Sequence, residues 1–225
     1  MKEKQLASEK SVDFIEDGMI LGLGTGSTVN YMIPALAARI KKGLNIKAVA
    51  TSKLTHQLAA SSGIHVVDLE LVDKIDLTID GADEVDKELN GIKGGGAALL
   101  YEKIVANYSA KNIWIVDSTK IVKKLGKFPL PVEVIPFGSN LLFGKFEKMK
   151  YNPVFRKAEG KNFLTDGGHF IVDLHLKEID DSKGLEEELK SIPGVVETGL
   201  FIGIADTVIV GREGKTEILE RKQGV

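Results

Sequence analysis

The sequence predicts an α/β fold: a doubly wound, mostly parallel Rossmann-like sheet with an inserted ferredoxin-like α+β domain. Three observations predict it. Short apolar runs at 19–23, 46–50, 75–79 and 112–116 alternate with helical patterns. The first run ends in GLGTGST, a glycine-rich turn of the kind that joins a strand to a helix. Beyond Phe128 the signals change order and read βαββαβ, the ferredoxin-like arrangement.

Each element follows from its stretch of chain. Residues 19–23 read as a strand, and the helical pattern after GLGTGST runs to about Lys41. Pro34 falls near the second turn of that helix, where it removes a backbone donor and is expected to kink or delay it. Residues 46–50 read as a second strand and 53–62 as a helix, followed by short apolar runs at 65–69 and 75–79. Residues 97–110 are helical and 112–116 form another strand. Pro129, Pro131 and Pro136 stiffen a crossover. Then 132–135 suggests a strand, 141–149 a helix and 153–156 a short strand. Within 163–176, Asp166-Gly167-Gly168 is a hairpin turn between two strand-like runs. Residues 185–192 are helical and stop at Pro193-Gly194, and 195–201 is the last strand of the insert. Residues 207–210 return to the first sheet. The expected domains are 1–127 plus 205–225, catalytic, and 128–204, the insert.

At 225 residues, 43% hydrophobic and 28% charged, the chain has the size and balance of a globular protein with a full core. A net charge of -2 without a basic block argues against nucleic acid as the main partner. No cysteine is present, which excludes disulfides, thiolate nucleophiles and cysteine-bound metals and fits a reducing compartment. The opening MKEKQLASEKSVDF has no signal-type apolar core, and no run approaches the roughly 20 apolar residues that span a bilayer. A cytoplasmic protein with no membrane partner is expected.

GLGTGST, residues 22–28, offers bare backbone N–H groups and a positive helix end to an anion, and Thr25, Ser27 and Thr28 add hydroxyls. It is no P-loop, because no lysine precedes Ser27. Its third glycine comes one residue early for a dinucleotide fingerprint, and no acidic residue lies at 42–46 to hold a ribose. The phosphate of a small molecule is preferred. The alternative is a tight turn without a ligand.

DGADEVDKELNGIKGGGAALLYEK, residues 80–103, is the richest segment. An apolar run leads in like a strand and an alanine-rich run leads out like a helix. That places Asp80 and Asp83 at a strand's carboxyl end, where open α/β sheets bind ligands. Three consecutive glycines, Gly94 to Gly96, cost backbone entropy and point to close approach of a ligand. Lys93 just before them can neutralise a developing oxyanion, and Glu102 rides on the first turns of the helix. Alone, Asp83 reads as a helix cap and Glu102 as a surface position. Together, acid, base and electrophile types at one sheet end read as catalysis. His169, Asp173 and His175 share a strand face, which a metal or a half-exposed surface would explain; the spacing matches no recognised ligand set, and no metal is expected.

GLGTGST, DGADE, KGGGAAL with its following EK, VDSTK and GKFPLPVEVIP together resemble the ribose-5-phosphate isomerase A family, over essentially the whole chain and including PGVVETGLF. The resemblance implies interconversion of ribose 5-phosphate and ribulose 5-phosphate in the non-oxidative pentose phosphate pathway, with no metal or other cofactor, by a homodimer or homotetramer. It implies that Thr25, Gly26, Ser27 and Thr28 form a substrate-binding loop, that Asp80, Gly81, Ala82 and Asp83 form an aspartate loop, and that Lys93, Gly94, Gly95 and Gly96 form a lysine–glycine loop. Glu102 matches the catalytic base, Lys120 a substrate-binding lysine and Lys4 a lysine that contacts phosphate. The expected chemistry is ring opening served by Asp80, hydroxyl ordering by Asp83, proton transfer between C2 and C1 by Glu102, and an enediolate stabilised by Lys93 and the glycine N–H groups. One rival is a non-catalytic sugar-phosphate sensor domain, for which about 18 residues before the first strand leave no room for a DNA-binding module. Others are an aminosugar-phosphate deaminase and an acyl-CoA transferase.

Overall fold

The computed structural model describes residues 2–221. Its first half runs α1 (Lys2–Ser11), β1 (Ile20–Leu23), α2 (Val29–Ile40), β2 (Lys47–Ala50), α3 (Lys53–Ser61), β3 (Leu77–Gly81), β4 (Glu84–Val85), β5 (Gly91–Ile92), α4 (Leu99–Asn107) and β6 (Asn112–Asp117). The second half runs β7 (Leu130–Val134), α5 (Ser139–Lys148), β8 (Pro153–Phe155), β9 (Lys157–Ala158), β10 (Lys161–Asn162), β11 (Phe170–Leu174), α6 (Ser182–Lys190), β12 (Val195–Thr198), β13 (Leu200–Phe201), β14 (Thr207–Arg212) and β15 (Lys215–Glu220).

The main sheet has the order β15-β14-β6-β3-β1-β2. Every neighbouring pair is parallel except β14 and β15. From β1 the chain steps outward to β2, then crosses back to β3 on the other side of β1. The strand order therefore reverses between β1 and β3, and a crevice opens there at their carboxyl ends. Side-chain alternation divides the core. Leu21, Leu23, Leu77, Ile79, Ile113 and Ile115 pack with Ala7, Met32, Ile33 and Leu36 on one face. Trp114, Val116, Val208 and Val210 pack with Leu99 and Phe201 on the other. Asp80 has the opposite parity to Ile79 and is in register with Trp114, so it emerges on the α4 side.

The second sheet has the order β12-β7-β11-β8, with every neighbouring pair antiparallel. With α5 and α6 this is the ferredoxin-like arrangement, around a core that includes Leu130, Val132, Phe146, Val172 and Leu189. A small sheet, β13-β5-β4, stitches the end of this unit to the segment that carries Lys93.

Several expectations change in detail. The turn at 165–168 forms, with the Gly168 N–H donating to the Thr165 carbonyl at 2.9 Å. Its first arm is not a strand, because the Phe163 N–H donates to the Arg156 carbonyl instead and β11 pairs with β7 and β8. The run 195–201 breaks at Gly199, whose N–H donates to the Pro131 carbonyl and whose carbonyl accepts from the Lys93 N–H. The break lets one stretch serve two sheets. Pro34 lies inside α2, which continues past it to Ile40. The helix α1 has no apolar stripe; it buries Ala7, Ser8 and Ser11 and lies so close to β14 that a side chain at Gly211 would strike the Glu3 backbone. The edge strand β15 was likewise not anticipated. Residues 222–225 of the expected catalytic segment lie outside those described. Among the described residues no helix is long and apolar enough to cross a membrane.

Candidate active site

The crevice between β1 and β3 holds a cavity of about 270 Å³. Its wall comprises residues 25–28 after β1, 81–83 at the end of β3, 93–96, Glu102 of α4, Lys4 of α1 and Lys120. Of the expected catalytic and substrate-binding residues, only Asp80 is missing from the wall. It lies directly behind, against Lys93.

Asp80, Lys93 and Glu102 form a buried triad. Lys93 Nζ lies 2.9 Å from Asp80 Oδ2 and 3.2 Å from Glu102 Oε2, and each of the three side chains is only 3% exposed. Lys93 Nζ also donates to the Gly81 carbonyl at 2.6 Å. Asp80 Oδ1 accepts from the backbone N–H groups of Gly81 at 2.7 Å and Thr25 at 3.1 Å. Asp80 is thus fully engaged. Glu102 is not: its Oε2 is within ion-pair distance of Lys93 but off the line of a hydrogen bond, and has no hydrogen-bonding partner. Gly24 is a condition of this packing, since a Cβ there would collide with the Asp80 carboxylate.

Two carboxylates around one ammonium in a dry site cannot both ionise freely. Burial, and then the charge of Asp80, push the Glu102 carboxyl up to about 8, against the pull of Lys93. Burial raises Asp80 as well, opposed by Lys93 and the two N–H donors. Burial alone would lower Lys93, but Asp80 and Glu102 hold it above its ordinary value. The outcome is an ammonium favoured in its charged form beside a carboxyl that gains and loses its proton near neutrality.

Another part of the wall is cationic. Lys4 Nζ donates to Ser27 Oγ at 2.9 Å. Lys4 is brought there because Glu3 Oε2 accepts from Ser118 N at 3.1 Å and Ser118 Oγ at 2.7 Å, docking α1 on the end of β6. Lys120 projects from the short turn after β6. Residues 26–28 lead into the positive end of α2. The Thr25 hydroxyl, by contrast, points away into a cluster with Thr51 at 2.8 Å, Ser52 at 2.8 Å and Thr55 at 3.1 Å. Thr25 therefore offers the cavity its backbone and methyl group.

The glycine loop is held from two sides. Asp83 Oδ2 accepts from the Gly95 N–H at 2.8 Å, so that N–H is already engaged. From the second sheet, Arg156 donates to the carbonyls of Gly94 and Gly95. Ala97 closes the loop with a left-handed backbone (φ 59) and donates to the Gly94 carbonyl at 2.9 Å. The Nζ of Lys103, next to Glu102, donates to Glu186, Glu197 and the carbonyls of Thr198 and Leu200. Lys103 is the lysine of the EK that follows KGGGAAL, but nothing in the motif gives it an anchoring role; no motif signals Arg156, whose only cue is a charged residue at the end of a short apolar run.

The face shared by His169, Asp173 and His175 disperses. His169 Nδ1 meets Glu133 Oε1 at 2.9 Å, Asp173 is paired with Arg156, and His175 is exposed. No cluster of three or more potential metal ligands occurs among the described residues.

The family model described as ribose 5-phosphate isomerase A (phosphoriboisomerase A) matches residues 47–215. The chain is 54% identical over 221 residues to ribose-5-phosphate isomerase A of Levilactobacillus brevis, covering 97% of each. It is 51% identical over 215 residues to that of Enterococcus faecalis, covering 95% of each. Among solved structures it is similar to a D-ribose-5-phosphate isomerase in complex with phospho-erythronic acid, with a TM-score of 0.94 and 42% identity over 97% of this chain and 98% of that one. The ribose 5-phosphate isomerase A of Methanocaldococcus jannaschii matches with a TM-score of 0.92 and 38% identity over the same shares.

Proposed function

The chain belongs to the ribose 5-phosphate isomerase A family, and from that premise we infer how its cavity performs the reaction. The protein is an aldose–ketose isomerase that interconverts D-ribose 5-phosphate and D-ribulose 5-phosphate through an enediolate. The residue roles below are our proposal. The observation that carries them is that one cavity is lined both by Lys4, Lys120 and a helix end and by the Glu102 carboxyl, pushed up to about 8 beside the buried Lys93 ammonium.

Lys4, Lys120, Ser27, Thr28 and the residue 26–28 backbone hold the phosphate. Asp83 and the backbone of Gly81 and Ala82 order the hydroxyls. Ring opening protonates the ring oxygen and removes the O1 hydroxyl proton; Lys93, on the cavity wall, gives the first proton and is recharged by the second, so it is again an ammonium before isomerisation, and Asp80 acts through Lys93 rather than on the sugar. Glu102 takes the proton from C2 of the open aldose. The C–H electrons form the C1–C2 double bond, and O1 gains charge that Lys93 and the Gly96 N–H stabilise. Glu102 then delivers the same proton to C1, while the O2 hydroxyl proton passes to O1 and leaves O2 as the ketone oxygen. A carboxyl with a pKa near the working pH suits both halves of this transfer. Remote phosphate binding holds C2 against Glu102.

The positive charge is supplied by Lys93, so we propose a reaction without a metal or other cofactor. We also propose that residues 1–127 with 205–225 act as the catalytic unit and 128–204 as the insert, in a cytoplasmic homodimer or homotetramer. Phe137 and Leu141, 90% and 83% exposed on the second unit, support self-association. Conversion of ribose 5-phosphate by purified protein in excess EDTA, alongside Glu102→Gln, tests this reading. Rapid turnover by the parent and loss of turnover with retained sugar-phosphate binding in the variant are expected. Near-normal turnover in the variant would refute the base assignment.

A further inference from the structure

Arg156 takes no part in the reaction as written, yet its guanidinium reaches the catalytic loop. It follows β8 in the second sheet. Its Nε donates to Asp173 Oδ2 at 3.0 Å and its Nη2 to Asp173 Oδ1, a two-point pair that fixes the plane of the group. Its Nη1 then donates to two successive carbonyls, Gly94 at 2.7 Å and Gly95 at 3.2 Å. The side chain is 18% exposed.

A trans peptide holds its carbonyl and its N–H on opposite sides. Drawing the Gly94 carbonyl to Arg156 turns the Gly95 N–H away, and that N–H meets Asp83. Drawing the Gly95 carbonyl to Arg156 turns the Gly96 N–H away in the same manner. Among the described residues no protein acceptor faces the Gly96 N–H, and Gly96 lines the cavity. Glycines have no side chains to restrain these planes, and their backbone is the freest of any residue. Asp83 and Ala97 also hold the Gly94–Gly95 plane, but among the described residues only Arg156 holds the Gly95 carbonyl, and with it the plane that carries the Gly96 N–H.

We propose that Arg156, locked by Asp173, is a positioning residue for the isomerisation. It sets the planes of the Gly94–Gly95 and Gly95–Gly96 peptides so that the Gly96 N–H is aimed in advance at the oxygen that gains charge as the enediolate forms. The inference rests on the reaction taking place in this cavity with Glu102 as its base. A donor that matters most when charge develops favours the transition state over the bound substrate. Losing its orientation lowers kcat and the affinity for an intermediate-like acid while sparing KM.

The test is steady-state kinetics of Arg156→Lys and Asp173→Asn, with phospho-erythronic acid as inhibitor and Glu102→Gln in parallel. Lysine keeps the charge but not the two-point pair with Asp173; asparagine keeps the shape but not the charge that locks the guanidinium. Expected are a fall in kcat of about 10- to 100-fold in each, KM changed by less than about threefold, and inhibitor affinity lost in step with kcat/KM. In Arg156→Ala, millimolar guanidinium restores part of the lost kcat. The double variant Arg156→Ala with Asp173→Asn is no worse than Arg156→Ala alone, as expected of two residues that act as one unit. Normal kcat in both single variants, with Glu102→Gln inactive, overturns the role of Arg156 and leaves the active site standing. A rise in KM that accounts for the whole loss, or loss without guanidinium rescue in a folded Arg156→Ala, also overturns it. An active Glu102→Gln overturns the underlying reading instead.

Discussion

Replacing Glu102 by glutamine should make the protein more stable at alkaline pH while removing its activity. The carboxyl is buried, faces Asp80 across Lys93, and titrates at about 8 rather than at 4.5. Its folded pKa lies above its unfolded one. Its contribution to stability is therefore whole below about 4.5 and is lost progressively until the pH passes about 8. The full span corresponds to about 5 kcal/mol, and the part between pH 6 and pH 8 to about 2–3 kcal/mol. Glutamine keeps the volume and has no charge to lose, and it leaves Asp80 as the only carboxylate on Lys93. Thermal unfolding of both proteins at fixed concentration across this range should show the parent falling relative to the variant by roughly 5–10 °C. Activity should fall by about 10²- to 10⁴-fold in the same variant, the usual worth of a general base. Parallel pH–stability curves would refute the claim that Glu102 is ionised against burial, and with it the basis for its tuned pKa.

The same titration predicts the pH–rate profile: kcat/KM should rise with pH toward about 8 and then level, because the free enzyme's base must first lose its proton. A flat profile from pH 6 to 9 would contradict it. Gly24→Ala should displace the Asp80 carboxylate, lowering kcat and destabilising the protein by about 1–3 kcal/mol; normal kinetics would show that Asp80 does not need its present position. Lys120→Ala and Lys4→Ala should each raise KM at least about tenfold with little change in kcat, read by initial rates. Equal effects on unphosphorylated ribose would remove the phosphate assignment. Lys103→Met should cost about 3–5 kcal/mol in urea unfolding, because it leaves Glu197 buried without its main partner.

The parts of the fold legible in the sequence were those whose physics is local. Apolar runs of strand length, glycine at 22, 24 and 26, and the halt at Pro193-Gly194 each specify their own stretch of backbone. What escaped was decided at a distance. The helix α1 is held by Glu3 on Ser118 and by close contact with β14, so its own residues show no apolar stripe. The break at Gly199 exists because the Pro131 carbonyl claims its N–H and the Lys93 N–H claims its carbonyl. The first arm of the expected hairpin was diverted by a single bond from Phe163 to Arg156.

The site divides along the same line. Residues that meet the cavity lie in short motifs, because a ligand is bound by turns and strand ends that are compact in sequence. Residues that hold those motifs in place can lie far from them, as Arg156 and Glu3 do, or inside one with no sign of the role, as Lys103 does. Glu102 illustrates the difference. Its neighbour Lys103, about 100° further round α4, points into four acceptors contributed by α6, β12 and β13. The Phe201 ring lies between the two sites, with Lys93 Nζ 5.1 Å and Lys103 Nζ 4.8 Å from its centroid. One helical step thus places a loosely partnered carboxyl in the cavity and anchors it with a saturated ammonium outside. The base can be left buried beside Asp80, which is what raises its pKa, because the helix that carries it is fixed by a different residue.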